Sequence, residues 1–108
     1  MELLDGASDR KELALGLGRL AAIYLRAGRW QEQLSCNRRH LAIAEELGSV
    51  LGQVIARINL AIALFYLPDL PAATAAAREA IAAAPDAPQP HYILGLIAKS
   101  ENETDVAE

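Results

Sequence analysis

A 34-residue spacing in the second half of the chain constrains its fold more than any other feature of the sequence. The pair Leu60-Ala61 is matched by Leu94-Gly95 34 residues later. In the first cycle, Ala73 follows Ala61 by twelve residues and Pro85 ends the cycle. Small residues at such offsets let one helix cross another closely, and a period of this length is typical of stacked helical hairpins. The spacing therefore predicts an all-α array.

Periodicity and helix-ending residues divide the chain into helical segments. The predicted helices cover about 9–27, 30–47, 49–67, 70–84 and 88–100, with a sixth beginning near Thr104. Ser8 or Asp9 is placed to cap the first helix, and Glu12 completes a capping-box pattern with Asp9. Gly48 is a left-handed C-cap for the second helix, and Asp69 is an N-cap for the fourth. No segment alternates with period two, so we expect no strands.

The residues of the 34-residue cycle resemble the tetratricopeptide-repeat (TPR) family. Ala61, Ala73, Ala80 and Pro85 match the small residues and the proline that this family places at fixed positions of its unit. The length of the chain fits a single domain over residues 1–108. The resemblance covers roughly residues 10–108 and implies units at about 14–53, 54–87 and 88–108, the last incomplete. It also implies a right-handed stack of antiparallel helical hairpins, a TPR-like α-solenoid.

The chain departs from the family pattern at four positions. Gln33, Asn37 and His40 stand where small or aromatic residues are usual, and Pro68 stands where glycine is usual. We expect these departures to weaken the fit of the first unit without changing the fold. We also expect Trp30 to seal the first hairpin.

The third unit ends before its second helix is complete. Its first helix carries four large aliphatic residues with little predicted cover, namely Ile93, Leu94, Leu96 and Ile97. Solenoids usually finish with a polar capping helix. The chain is therefore expected either to be a piece of a longer repeat protein or to associate with a second copy through this end.

The third predicted helix is apolar on nearly every side, so it needs cover on every side. In the family that the chain resembles, the stripe of this helix that faces away from its hairpin partner lines a concave groove, and we expect the same here. With residues of the next unit, the predicted recognition surface is Ile55, Ile58, Asn59, Ile62, Phe65, Tyr66, Tyr92 and Leu96. In the competing interpretation, these side chains are core.

Two functions are open from these patterns. The first is a non-catalytic protein–protein interaction module whose groove binds an apolar or amphipathic peptide or helix. The second is a structural or self-associating segment of a larger sensor or transcriptional regulator. In peptide-binding repeats that resemble this one, an asparagine at the place of Asn59 holds the main chain of the ligand, and a bond to a neighbouring helix or to water is the alternative role.

Composition argues against several other functions. The net charge is −4, and Arg38, Arg39 and His40 spread around a helix and form no basic patch, so we expect no nucleic-acid partner. No apolar run is long enough to span a bilayer, and one cysteine forms no internal disulfide, so we expect a cytoplasmic protein without a membrane partner. Cys36 and His40 are too few for zinc. With no phosphate loop or catalytic constellation, we expect neither cofactor nor enzymatic activity.

Overall fold

The protein is all-helical in the part of the chain that its computed structural model describes, which is residues 6–107, with side chains from 9 to 102. Five helices follow one another: α1 Gly6–Ala27, α2 Trp30–Leu47, α3 Val50–Tyr66, α4 Leu70–Ala83 and α5 Pro88–Ala107. No described residue lies in a strand, as predicted. In the same residues, no helix is long and apolar enough to cross a membrane.

Helix boundaries agree with the sequence where glycine or proline marks them. Gly48 ends α2 in the left-handed conformation with φ of 68°. Asp69 caps α4, its carboxylate accepting a hydrogen bond from the Ala72 amide at 3.2 Å. Ser49 caps α3 in the same way, through its hydroxyl oxygen and the Gly52 amide at 3.0 Å. These caps satisfy amide groups that the first turn leaves without a partner.

Two boundary predictions are wrong. Helix α1 begins at Gly6, so Asp9 lies in its first turn and does not cap it. Helix α5 continues to Ala107, so no separate sixth helix begins near Thr104. Between Ser100 and Ala107 there is no glycine or proline, and nothing in that stretch forces the helix to end.

Helices that are consecutive in the chain pack against each other, and α5 also contacts α3. The main core lies between α3 and α4, where Ala61, Ala73 and Ala77 are fully buried. Their small side chains suit a close crossing of these two helices, as the sequence predicts. A smaller core joins α1 to α2 around Leu17 and Cys36.

The molecule is elongated, with dimensions of 64 × 29 × 17 Å. Its radius of gyration is 15.4 Å, compared with about 13 Å for a compact chain of this length. Each helix is therefore covered mainly by its neighbours in sequence, and much of its surface stays available for other contacts.

Polar side chains lie inside the α2–α3 junction. Gln33 and Asn37 are fully buried. The Gln33 amide donates to the Asn59 carbonyl at 3.4 Å, and the Asn37 amide donates to the Gln33 carbonyl at 3.0 Å. The side-chain oxygens of both residues find no hydrogen-bond partner among the described residues. Helix α2 therefore carries two buried amides that are each half satisfied.

Arg57 ties three helices together. From α3, its guanidinium contacts Glu45 of α2 at 3.2 Å and Glu79 of α4 at 3.6 Å. It also donates to the Gln53 side chain at 3.3 Å. The Arg57 side chain is mostly buried, while both carboxylates are exposed. Because exposed ion pairs contribute little to stability, the main effect of these bridges is to hold the arginine side chain in place.

Candidate functional site: the groove between α3 and α5

An apolar groove lies between α3 and α5, and it encloses about 210 Å³. Three of its residues come from α3 and four from α5: Ile62, Phe65, Tyr66, Gln89, Tyr92, Ile93 and Leu96. On each helix these positions are separated by one, three or four residues, which places them on one face. The groove is therefore built by two helix faces that the chain brings side by side.

The aromatic end of the groove is ordered by stacking. The Trp30 ring, at the start of α2, stacks on Tyr66 with centroids 4.4 Å apart and planes 11° from parallel. The Phe65 ring meets Tyr66 edge to face at 5.3 Å. Such pairs stabilise a defined ring geometry beyond simple burial. Trp30 thus contacts α3, whereas the sequence analysis expects it to seal the first hairpin, and it holds Tyr66 at the mouth of the groove.

Five of the eight predicted recognition residues line this groove. They are Ile62, Phe65, Tyr66, Tyr92 and Leu96. The structure brings them together from two helices, although 34 residues separate Ile62 from Leu96 in sequence.

The other three predicted residues lie outside the groove. Ile58 packs against the main core, and Ile55 is exposed nearer the start of α3. Asn59 lies beside α2, where its backbone carbonyl accepts the bond from Gln33. Within the described residues the Asn59 side chain makes no hydrogen bond to the protein, so its bond to α2 is made by its main chain.

The groove residues are also partly core. Ile62 and Phe65 are half-buried and pack against the main core, while Tyr66 and Tyr92 are exposed. The core interpretation therefore holds for the inner residues, and the recognition interpretation stays a prediction for the exposed ones. The inner residues of the stripe support the fold, and its outer aromatics face solvent.

The sequence analysis left Gln89 and Ile93 out of the predicted recognition surface, although both line the groove. Ile93 and Ile97 were expected to lack cover, which is wrong, because both are buried in the main core by the chain itself. Leu94 and Leu96 are half-buried. Helix α5 lies against both α3 and α4, and this double contact supplies the cover.

The lining of the groove is uncharged. Among the described residues, none with a charge lines it, and its polar groups are the Gln89 amide and two tyrosine hydroxyls. Lys99 lies one turn beyond Leu96 on α5 and is exposed. A ligand in the groove would therefore meet apolar and aromatic surface, with a positive charge available beyond one end.

The residues considered for metal binding lie elsewhere. Cys36 is buried between α1 and α2, and desolvation raises the pKa of its thiol. His40 lies beside Gly18 of α1, and desolvation lowers the pKa of its imidazole. In the described part of the chain, no three His, Cys, Asp or Glu side chains gather as a metal site requires.

No protein-family model, no curated protein and no solved structure matches the chain. What the groove does is therefore inferred from its own geometry and chemistry.

Proposed function

We propose that the chain is a non-catalytic protein–protein interaction module of the tetratricopeptide-repeat type. Its groove between α3 and α5 binds a bulky apolar side chain of a partner peptide or amphipathic helix. The observation that carries this proposal is the apolar groove itself, whose exposed aromatic rim is held by the stack of Trp30 on Tyr66. Grooves between helices are a common place for amphipathic partners to bind.

The size of the groove favours a side chain over a small-molecule ligand. Its volume is about 210 Å³, below the roughly 300–1,000 Å³ typical of small-molecule and cofactor pockets. Aromatic anchors that fill such spaces tend to dominate the energy of an interface. One large aliphatic or aromatic residue of a partner therefore fits best.

The order of the helices supports the TPR-type stack. Helices α3 and α5 begin the second and third predicted units, and they form the groove side by side. Each helix contacts its neighbour in sequence, and the molecule is elongated. Both features suit a right-handed array of hairpins with its ligand surface on the first helices.

Polar groups at the rim favour a peptide ligand. The Gln89 side chain both donates and accepts hydrogen bonds, as a peptide main chain requires. In this proposal, Gln89 holds the main chain of the peptide, the role that the resemblance implied for Asn59. A reducing cytoplasm suits the single free cysteine, Cys36.

The alternative function, a structural or self-associating segment, has less support than the groove if the association uses the C-terminal end of the chain. Two of the four aliphatic residues assigned to that contact, Ile93 and Ile97, are buried within the chain. Leu94 and Leu96 alone offer a small apolar area there, and Leu96 already lines the groove.

A peptide panel tests the proposal. Each peptide carries one Trp, Phe, Leu, Ala or Lys at the centre of the same polar, uncharged sequence, and binding is followed by amide chemical shifts. We expect Trp, Phe and Leu to bind and to shift the α3 and α5 groove amides, with little change on adding salt, because the groove lining is uncharged. Equal binding of the Ala or Lys peptide, or shifts confined to α1 and α2, would reject the groove as the binding site.

A further inference from the structure

Helix α1 carries a second apolar stripe, away from its buried face. Its large members are partly exposed, with Leu13 at 39%, Leu20 at 38% and Ile23 at 60%. Together with Gly16 and Ala27 they follow steps of three, four, three and four residues. This is the spacing of a helix face that packs along a second helix. Leu17 and Ala21, by contrast, face α2 in the smaller core.

Gly16 lies within this stripe without an internal reason for being glycine. A Cβ atom built at Gly16 meets nothing within 4 Å. Glycine is unfavourable inside a helix, so its presence where the chain needs no space is consistent with close approach by another helix. The stripe thus combines large residues with one gap, at Gly16, where no side chain projects.

Charges along one flank of the stripe are arranged for an antiparallel copy. Glu12, Arg19 and Arg26 follow one another at seven-residue intervals, so they share a flank. Within residues 9–102, neither Glu12 nor Arg26 takes part in an ion pair. When two such helices run antiparallel, the same flanks meet, and the acidic end of one lies beside the basic end of the other.

We propose that α1 is a self-association surface, through which two copies of this chain form an antiparallel dimer. A two-fold axis near residue 18 would pair Leu13 with Ile23 of the second copy, since 18 is midway between them. The same axis places Leu20 over the gap at Gly16 of the second copy. The midpoint between Glu12 and Arg26 is residue 19, one residue from this axis. One residue is about 1.5 Å along a helix, so all three pairings fit a single axis. An isologous interface requires this self-complementarity.

The second copy is the occupant that the charge order favours. A surface for an unrelated acidic or basic partner would gain from one sign of charge along the flank, whereas this flank carries an acid at one end and a base at the other. Arg19, near the axis, meets its own symmetry mate, which opposes association. This predicts a dimer that is reversible and that strengthens when Arg19 is replaced by alanine.

Sedimentation equilibrium over protein concentrations up to about 1 mM tests the surface. We expect the wild-type chain to show reversible dimerisation and Leu20→Glu to be monomeric with an unchanged helical spectrum. Leu51→Glu is the matched control, because Leu51 is an exposed leucine of α3 at 71%, and it should still dimerise. A wild-type chain that stays monomeric, or a dimer that Leu20→Glu does not weaken, would overturn the proposal and assign the stripe to a different chain or leave it without an occupant.

Charge exchange tests the antiparallel order. Glu12→Arg and Arg26→Glu each place like charges together and should weaken dimerisation by about tenfold or more. The double variant restores opposite charges and should restore the affinity. Thermal melts of all three variants separate a folding defect from weaker association. If the double variant associates no better than the single variants while remaining folded, the antiparallel pairing is wrong.

Discussion

The buried amides of Gln33 and Asn37 each leave one oxygen without a hydrogen-bond partner in the described structure. An unsatisfied buried polar group costs about 1–3 kcal/mol, whereas an apolar group of similar shape carries no such penalty. At the residue scale, these two side chains are therefore the positions of α2 where a substitution can raise the stability of the fold.

Replacing Asn37 by leucine should raise the free energy of unfolding by about 1 kcal/mol, because the unpaired oxygen is removed and the site stays filled. Urea denaturation measures the change. Asn102→Leu is the control, because Asn102 is exposed on α5 and brings the same gain in helix propensity without a buried amide. A loss of stability in Asn37→Leu would contradict this account of the buried amide.

His40 predicts a pH dependence of stability. Burial lowers its pKa from the ordinary value of 6.5, so the folded state binds this proton less readily than the unfolded state. The contribution of neutral His40 to the free energy of unfolding is complete above that value, and it is lost as pH falls towards the lowered pKa. When pH is lowered from about 8 to about 5, the melting temperature of the wild type should therefore fall more than that of His40→Gln. Equal losses in the two proteins would contradict the role of His40.

At the scale of helices, the α3–α4 crossing depends on alanine. Ala73 is fully buried in the core that also contains Ala61 and Ala77. Ala73→Leu should force the helices apart and cost roughly 1–3 kcal/mol of unfolding free energy. Ala75→Leu, on the exposed side of the same helix, should change stability little. The crossing is assigned wrongly if the two variants melt alike.

Helix ends marked by special residues were predictable from the sequence, and unmarked ends were not. Gly48 and Asp69 act through backbone conformation and local hydrogen bonds, so their effect is readable within a few residues. The end of α5 lacks such a signal. The faces of α3 and α5 were likewise predictable from periodicity, because each depends on one helix.

The position where α3 meets α5 was not predictable in the same way. It depends on how two helices cross, which is set by packing between distant residues. The crossing brings the last turns of α3 against the first turns of α5, so Ile55 and Ile58 lie outside the groove and Ile93 lies inside it. The overall fold class needed no such knowledge, since a chain of amphipathic helices with short connections packs neighbour on neighbour.

At the scale of the whole molecule, the elongated shape separates the two proposed surfaces. The groove uses α3 and α5, and the self-association stripe uses α1. A dimer through α1 would therefore carry two grooves, and a partner with two apolar anchors would bind it more tightly than a partner with one.

The central claim is that the α3–α5 groove binds an apolar anchor, and calorimetric titration with the Trp-centred peptide tests it most directly. Tyr92 is the residue to remove, because it lines the groove yet is 69% exposed, whereas Phe65 also supports the core. Tyr92→Ala should weaken binding by about 1–2 kcal/mol with an unchanged melting temperature. Leu51→Ala, equally exposed but outside the groove, should bind as wild type does. Equal affinity of Tyr92→Ala and wild type for the peptide would contradict the account.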